Sequence, residues 1–256
     1  MKLMKRIGLF QLSTTGLRVC GFIFLVIGAF GAMLQTQMLG AGNMTTMQLL
    51  DALEQDAGTM NHATLAIALQ SLGSAALPIF AFMLVEGAVN TSGYGKYFLR
   101  VFALAVVCQL PYNLLMTGDL LRMNKLNPVF ALVMCMMMLY FFRRYPGKKA
   151  GALLLKLMAL VCIFFWSIML GVDHGPCCVL IVAEVWALRG KQNAQTFLGI
   201  MIMFCCAVFS MYYLVAPIGF LILHFYEGKQ GSENRLVNYL AYPVILLVAG
   251  VLAVVM

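Results

Sequence analysis

The stretch that decides the fold is HATLAIALQSLGSAALPIFAFMLVEGAV, which runs from His62 to Val89. Its only Asp, Glu, Lys or Arg side chain is Glu86, near the end of the run. About 20 consecutive apolar residues are enough to cross a bilayer as a helix, and only helices or closed barrels satisfy the backbone in lipid. Because the apolar residues are continuous rather than alternating, the stretch predicts a membrane-spanning helix, with a kink at Pro78.

The composition of the whole chain extends this prediction. Hydrophobic residues make up 63% of the 256 positions and charged residues only 10%, whereas a soluble chain carries roughly 25% charged residues. The charged residues are too few to cover a water-facing surface, which excludes a soluble globular protein. We therefore predict an all-α protein, a polytopic transmembrane helical bundle that forms a single domain over residues 1–256.

The apolar runs between the charged clusters predict about nine spans of roughly 20 residues each. We expect the spans near residues 17–39, 63–89, 97–117, 127–142, 151–170, 175–189, 194–211, 212–226 and 236–256. The two runs that meet around Tyr212 to Pro217 are also compatible with one bent element.

Lysine and arginine predict the orientation of the chain. With these spans nearly all of them fall on one side of the membrane, and only Arg122 and Lys125 fall on the other. Cytoplasmic loops retain positive charge, so the N-terminus is predicted to be cytoplasmic. The net charge of +8 follows from this topology. The lipid bilayer, with its anionic headgroups, is the expected partner of the basic loops, a dedicated ligand site is the alternative, and no nucleic acid is expected.

Polar residues within or beside the spans are the candidate functional positions, because ionisable groups are rare in a membrane and usually face a cavity or a partner. The segment GVDHGPCC, Gly171–Cys178, places Asp173 and His174 side by side between two apolar runs. The other ionisable candidates are Glu86, Glu184, His224 and Glu227. Three uncharged polar residues surround the third and fourth spans: Gln109, Asn113 and Asn127.

Each candidate also has a purely structural interpretation. Glu86 is equally compatible with an interfacial side chain that pairs with Lys96 or Arg100. Asp173 and His174 are compatible with a polar turn at the membrane surface. Contacts with headgroups or with the interface would equally explain Glu184, Arg189 and His224.

No local motif identifies an enzyme by itself. The sequence has no Gly-rich phosphate loop, no GxSxG and no zinc signature. The eight cysteines and three histidines lack the paired spacing of a metal site, so no metal is expected.

Four segments, in this order and spacing, resemble the TraX family, and the resemblance covers roughly residues 16–250. They are LPIFAFMLVEGAVNTSGYGKYFLRVFALAVVCQLPYNLLM (77–116), LNPVFALVMCMMMLYFFRR (126–144), GVDHGPCCVLIVAEVWALRG (171–190) and HFYEGKQGSENRLVNYLAYPVILLV (224–248). The resemblance implies an integral, multi-pass protein of the bacterial inner membrane. It also implies acetyl transfer from acetyl-CoA, since the family's founding activity acetylates the N-terminal amine of a conjugative pilin. The expected acceptor is a peptide or a pilin-like protein.

The resemblance suggests a role for each candidate residue. His174 is the expected catalytic base, oriented and stabilised by Asp173, because an imidazole suits proton transfer near neutral pH. The phosphates of the donor need cationic groups, for which the candidates are Lys96, Arg100, Lys229, Arg143 and Arg144. The residues expected to line a channel for the substrate are Glu86, Gln109, Asn113, Asn127 and Glu184.

The sequence departs from the family pattern at places where acid–base groups are expected. Gly28 and Ala29 stand where the family carries an Asp-His-like motif, and Ile245 stands where the last span carries a histidine. Conversely, His174 replaces a tyrosine of the family. The alternative is therefore a non-catalytic TraX-like membrane protein that acts as an assembly partner or a small-solute carrier.

Two geometric problems accompany the catalytic interpretation. Adjacent residues point their side chains apart unless the backbone is irregular, which weakens Asp173 and His174 as a pair. The donor would bind on the cytoplasmic side, whereas His174 is predicted on the other side, so the pantetheine arm would have to reach most of the way across the bilayer.

Overall fold

The computed structural model describes residues 12–38, 57–147, 149–226, 228 and 235–255. Within these ranges the apolar runs are helical, which pairs their backbone groups internally as hydrocarbon requires. The helices are α1 (Thr14–Met38), α2 (Ala57–Gly73), α3 (Ala76–Asn90), α4 (Tyr94–Thr117), α5 (Pro128–Arg144), α6 (Ala150–Met169), α7 (Gly175–Ala187), α8 (Gln192–Cys206), α9 (Pro217–His224) and α10 (Arg235–Val255), with a 3₁₀ turn at Met211–Leu214. The predicted all-helical class is confirmed over the described residues.

Several of these segments have the length and composition of membrane spans. In the described ranges four segments are long and apolar enough to cross a bilayer: Thr14–Met38, Ala57–Asn90, Tyr94–Thr117 and Ala150–Met169. Shorter apolar helices lie at Gly175–Ala187, Met211–His224 and Tyr239–Val255. The chain is therefore a helical membrane protein.

The long second span is broken, and the break precedes the predicted kink. The backbone leaves the helix between Gly73 and Ala76 rather than at Pro78. In a continuous helix the Pro78 ring would clash with the carbonyl of Ser74, four residues earlier. The break removes this clash and leaves Pro78 in the first turn of α3, where its missing N–H group costs nothing. The Ser74 hydroxyl donates to the carbonyl of Tyr212 at 2.8 Å and so ties the break to the 3₁₀ turn.

The run predicted as a span at 212–226 is not one continuous helix. It consists of the 3₁₀ turn at Met211–Leu214 and the helix α9, which begins at Pro217. The 8 residues of α9 rise only about 12 Å, whereas the hydrocarbon core is about 30 Å thick. This part of the chain therefore consists of two short helical pieces and is not the single helix expected at 212–226.

The loops gather at two ends of the bundle. We call the end at which α1, α4, α6 and α8 begin the basic end, and the other end the opposite end. An ion pair between Glu86, in the last turns of α3, and Arg189, just after α7, lies at the basic end. Basic residues at this end include Arg18, Lys96, Arg100, Arg143, Arg144, Lys149, Lys156, Arg189 and Lys191.

Helix α7 lies at the centre of the bundle. It packs against α3, α5, α6 and α8, and from Cys177 to Val185 every residue except Leu180 is buried. An apolar helix surrounded on all sides is the expected core element. In contrast, Ser167 is the only buried residue of α6; Leu160, Ile163 and Phe164 pack against the core, and the exposed face of the helix is left for lipid.

Small residues bring α1 and α2 into close contact. A Cβ atom on Gly28 would lie 3.0 Å from the Cα atom of Gly73, and one on Gly31 would lie 2.8 Å from the carbonyl oxygen of Ala66. Close approach of backbones through small residues is a common way to hold helices together in a membrane. Gly28 is therefore part of a helix contact.

We expect Gly73→Ala to destabilise the protein, because the added methyl group would press against the backbone of Gly28, which has no flexible side chain to move away. Overpacking of this kind costs about 1–3 kcal/mol. The measurement is the melting temperature of the detergent-solubilised protein. Gly151→Ala is the matched control, because a Cβ at that helical position meets nothing within 4 Å. Equal melting temperatures of the two variants would contradict the prediction.

Candidate functional site

A short backbone pairing at the opposite end joins the loop after α4 to the loop after α6. The amide of Leu126 donates to the carbonyl of Gly171 at 3.1 Å, and the amide of Asp173 donates to the carbonyl of Leu126 at 2.9 Å. Gly171 has a φ of 61°, which glycine adopts without strain. The pairing places Lys125 beside Asp173 although they lie far apart in the sequence.

Asp173 is the centre of a polar cluster that consists of Tyr112, Lys125, Asp173, His174 and Tyr213. The Tyr112 hydroxyl donates to Oδ2 of Asp173 at 2.8 Å, and Nζ of Lys125 lies 3.5 Å from Oδ1. The aspartate side chain is only 20% exposed, so these partners replace the water that it has lost. The cluster joins residues from α4, two loops and the 3₁₀ turn.

His174 is held in this cluster by an unusual backbone conformation. Its φ of 57° is the only positive φ of a residue other than glycine in the described chain, and such a φ is uncommon. This conformation turns the ring back toward its neighbour, so that Nε2 lies 3.5 Å from Oδ2 of Asp173. Nδ1 lies 2.5 Å from the Tyr213 hydroxyl. The irregular backbone that adjacent side chains need in order to meet is therefore present.

The surroundings of Asp173 favour its charged form. Burial opposes ionisation, but the neighbouring His174, the Lys125 ammonium and the Tyr112 hydroxyl outweigh it and hold the pKa of this carboxyl below its ordinary value. A negative charge is thus maintained next to the imidazole ring of His174.

A cavity of about 1870 Å³ connects this cluster with the basic end of the bundle. Its lining at the opposite end includes Tyr112, Lys125, Asp173, His174 and Tyr213, and its lining at the basic end includes Arg18, Glu86, Arg100, Arg189 and Gln192. Between them the walls are largely apolar, with Leu17, Leu77 and Phe80 among the lining residues. Both groups of charged residues therefore face the same internal space.

At the basic end, Glu86 pairs with Arg189 and not with Lys96 or Arg100. Nε of Arg189 donates to Oε1 of Glu86 at 2.7 Å, and the second bond, to Oε2, is 3.1 Å long. This fork-like geometry links the ends of α3 and α7. Arg100 is exposed at the same end and lines the cavity.

Of the other expected donor-binding residues, the three that the structure describes do not line the cavity. Lys96 and Arg144 are exposed at the basic end. Arg143 donates to the carbonyl of Ala88, and its guanidinium lies 4.9 Å from the centre of the Tyr94 ring. Lys229 and Glu227 lie outside the described residues. Within the described chain, no group of three His, Cys, Asp or Glu residues is placed to hold a metal ion.

The three expected channel amides bond to each other and to the backbone. The amide nitrogen of Gln109 donates to Oδ1 of Asn113 at 2.8 Å, and its oxygen accepts from the side chain of Asn127 at 2.9 Å. Asn127 also caps α5 by accepting from the amide of Val129. None of the three amides is among the cavity-lining residues. They connect the end of α4 to the start of α5 and so support the loop that carries Lys125.

The two remaining ionisable candidates lie apart from the polar cluster. Glu184 is 5% exposed, its carboxyl oxygens have no hydrogen-bond partner among the described residues, and it does not line the cavity. His224 lies at the basic end, where its Nδ1 is 3.1 Å from the hydroxyl of Thr196. Neither residue is brought near Asp173.

Three members of the cluster were not among the candidates chosen from the sequence. Tyr112 and Tyr213 lie in apolar runs, where a tyrosine is indistinguishable from a packing residue until its neighbours are known. Lys125 did carry a signal, because it is one of only two basic residues predicted on the less basic side of the membrane.

The low pKa of Asp173 predicts a stability that depends on pH. A carboxyl whose pKa is lower in the folded state stabilises the protein above its unfolded-state pKa, and this contribution is lost as the pH falls through the folded-state pKa. At pH 7 we therefore expect wild-type protein to melt at a higher temperature than Asp173→Asn. This difference in melting temperature should begin to shrink below about pH 3.9, the ordinary aspartate pKa, and should vanish below the lower folded-state pKa. Asp119→Asn, in an exposed position, is the control. A difference that does not change with pH would contradict the prediction.

Comparison with known proteins supports the resemblance seen in the sequence. The chain matches the protein family described as TraX protein over residues 17–253, which is nearly its whole length. No curated protein and no solved structure matches the chain. Because the match covers the α1–α10 bundle and every residue of the polar cluster, the chain belongs to the TraX family.

Proposed function

We propose that this protein is a membrane-embedded acyltransferase that moves an acetyl group from acetyl-CoA to an amine on the other side of the membrane. The observation that carries this proposal is the cavity, which has arginines at one end and an Asp-His-Tyr cluster at the other. An acyl transfer across a membrane needs both features in one continuous space, because the donor carries phosphates and the acceptor must lose a proton.

In the proposed topology the chain crosses the bacterial inner membrane nine times, with α2 and α3 as one crossing and the 3₁₀ turn with α9 as another. The basic end faces the cytoplasm, because cytoplasmic loops retain lysine and arginine. This orientation puts the N-terminus inside and turns the polar cluster toward the opposite side. Acetyl-CoA would then reach the cavity from the cytoplasm, where it is made.

The distance between the basic end of the cavity and His174 is shorter than the near-complete bilayer crossing that the sequence predicted for the pantetheine arm. Helix α7 has 13 residues and is therefore about 20 Å long, less than the hydrocarbon thickness of about 30 Å. His174 lies at its first end and Arg189 just beyond its last. With the phosphates near Arg189 and Arg100, an extended pantetheine arm is comparable in length with α7, so the thioester would arrive close to His174.

The chemistry assigned to the cluster is acid–base catalysis of acyl transfer. His174 is the base that receives the proton released by the attacking amine, directly or through a neighbouring group, and the negative charge of Asp173 stabilises the imidazolium. The amine nitrogen bonds to the acetyl carbon, the carbon–sulfur bond breaks, and the proton returns from His174 to the CoA sulfur. The proposed acceptor is the N-terminal amine of a peptide or a pilin-like protein.

A small-solute carrier is the second candidate, and one observation favours it. Ion pairs stand at both ends of the same cavity, Glu86 with Arg189 and Asp173 with Lys125. In a carrier, each pair could close one end of the cavity, and the two pairs would break in turn to open it first to one side of the membrane and then to the other. The two functions differ in whether acetyl-CoA is bound and consumed.

We expect acetyl-CoA to raise the melting temperature of the purified protein, because a ligand that binds only the folded state stabilises it by about 2.7 kcal/mol at 100 times its Kd. Arg100→Gln should raise the Kd for acetyl-CoA about tenfold or more, since a hydrogen bond to a charged group contributes roughly 1.5–3 kcal/mol. The measurement is the melting temperature over a series of acetyl-CoA concentrations.

Two controls sharpen this experiment. Lys149→Gln removes the same charge from an exposed position at the same end, outside the cavity lining, and should leave donor binding unchanged. Acetyl-pantetheine lacks the nucleotide phosphates and should bind more weakly than acetyl-CoA. If acetyl-CoA causes no shift in the wild-type protein at millimolar concentration, the acyltransferase proposal fails.

A further inference from the structure

The one side-chain hydrogen bond of His174 is at Nδ1, which lies 2.5 Å from the hydroxyl of Tyr213. Nε2 lies 3.5 Å from the Asp173 carboxylate, which is a charge contact. With Nδ1 as the acceptor, the Tyr213 hydroxyl is the donor. In this arrangement Nδ1 does not meet an incoming acceptor directly, because Tyr213 already occupies it.

Tyr213 lies beside His174, and both residues line the cavity. Tyr213 is only 3% exposed, and its ring meets the imidazole edge-on, with ring centres 5.5 Å apart. The 3₁₀ turn holds its backbone, since the amide of Tyr213 donates to the carbonyl of Ser210 and its own carbonyl accepts from Ala216. The phenol is therefore fixed by its backbone and by its ring contact.

We propose that Tyr213 is a catalytic residue that passes the proton of the acceptor to His174. This inference rests on the proposed acyltransferase function and adds to it the group that touches the acceptor. The hydroxyl of Tyr213 is bonded to Nδ1 through its hydrogen, and the Cys177 thiol is a second neighbour of its oxygen. A hydroxyl oxygen has two lone pairs, so one of them is the site at which the acceptor N–H group binds.

The step balances as a relay of two protons. The amine nitrogen attacks the acetyl carbon of the thioester while its proton moves to the Tyr213 oxygen, and the original phenol proton moves to Nδ1 of His174. The carbon–sulfur bond then breaks, and the two protons move back along the same path to give CoA with a free thiol. Tyr213 ends as a phenol and His174 as a neutral imidazole, so no further reactant is needed.

The test uses Tyr213→Phe in the full-length protein, with acetyl-CoA and a short peptide that carries a free N-terminal amine. Release of the CoA thiol gives kcat and KM, and the melting-temperature shift with acetyl-CoA reports donor binding separately. We expect kcat to fall about 100-fold or more, in the range lost with a general acid–base group, while the donor-induced shift stays as in wild type. Tyr212→Phe is the matched control, because it removes the same hydroxyl one residue away and should keep its rate.

Two further measurements distinguish catalysis from packing. If Tyr213 acts through His174, the double variant with His174→Ala should be no slower than His174→Ala alone, because residues that act as a unit are not additive. In wild-type protein, kcat measured in mixtures of H₂O and D₂O should curve with the deuterium fraction, because two protons move together. The second measurement needs no variant and holds even if Tyr213→Phe folds poorly.

The outcomes separate the inference from the proposed function. A wild-type rate in Tyr213→Phe, or a linear dependence of kcat on deuterium fraction, overturns the role of Tyr213 and leaves the acyltransferase proposal intact. A wild-type protein that neither binds acetyl-CoA nor releases CoA overturns the proposed function and, with it, this inference.

Discussion

Hydrocarbon offers no water to an unpaired amide or carbonyl, and this constraint shapes the whole molecule. Where the chain leaves helical geometry, its backbone groups need hydrogen-bond partners inside the protein. Here two irregular segments bond to each other in each case. The Ser74 hydroxyl at the break between α2 and α3 bonds the carbonyl of Tyr212 in the 3₁₀ turn. The loop at Leu126 bonds the loop at Asp173 through the backbone. The bonds that make irregular backbone tolerable thus also hold the polar cluster.

The shortness of the central helices has a functional consequence. Helix α7 is shorter than the bilayer is thick, and α9 is shorter still. His174 and the 3₁₀ turn that carries Tyr213 therefore lie closer to the basic end than a full crossing of the bilayer would place them. Both residues line the cavity that also reaches the arginines of the basic end.

The polar cluster lies away from the close contact between α1 and α2. At Gly28 a side chain would meet the backbone of Gly73, so this part of the first helix contributes contact area. The polar groups gather instead around the loop between α6 and α7. There the left-handed conformation of His174 brings together two adjacent side chains that ordinary backbone would separate.

The sequence by itself determined the membrane class, the helices and their bounds to within a few residues at most spans, because continuous apolar runs and scarce charges have only one stable arrangement in lipid. It also drew attention to Asp173 and His174 as candidates, since ionisable residues between two spans stand out by chemistry alone. The tertiary structure decided the break at Ser74, the pairing of Glu86 with Arg189, and the presence of Tyr112, Lys125 and Tyr213 beside Asp173. These features depend on contacts between residues distant in the chain, and a tyrosine or an arginine carries no local mark of the partner that it will meet.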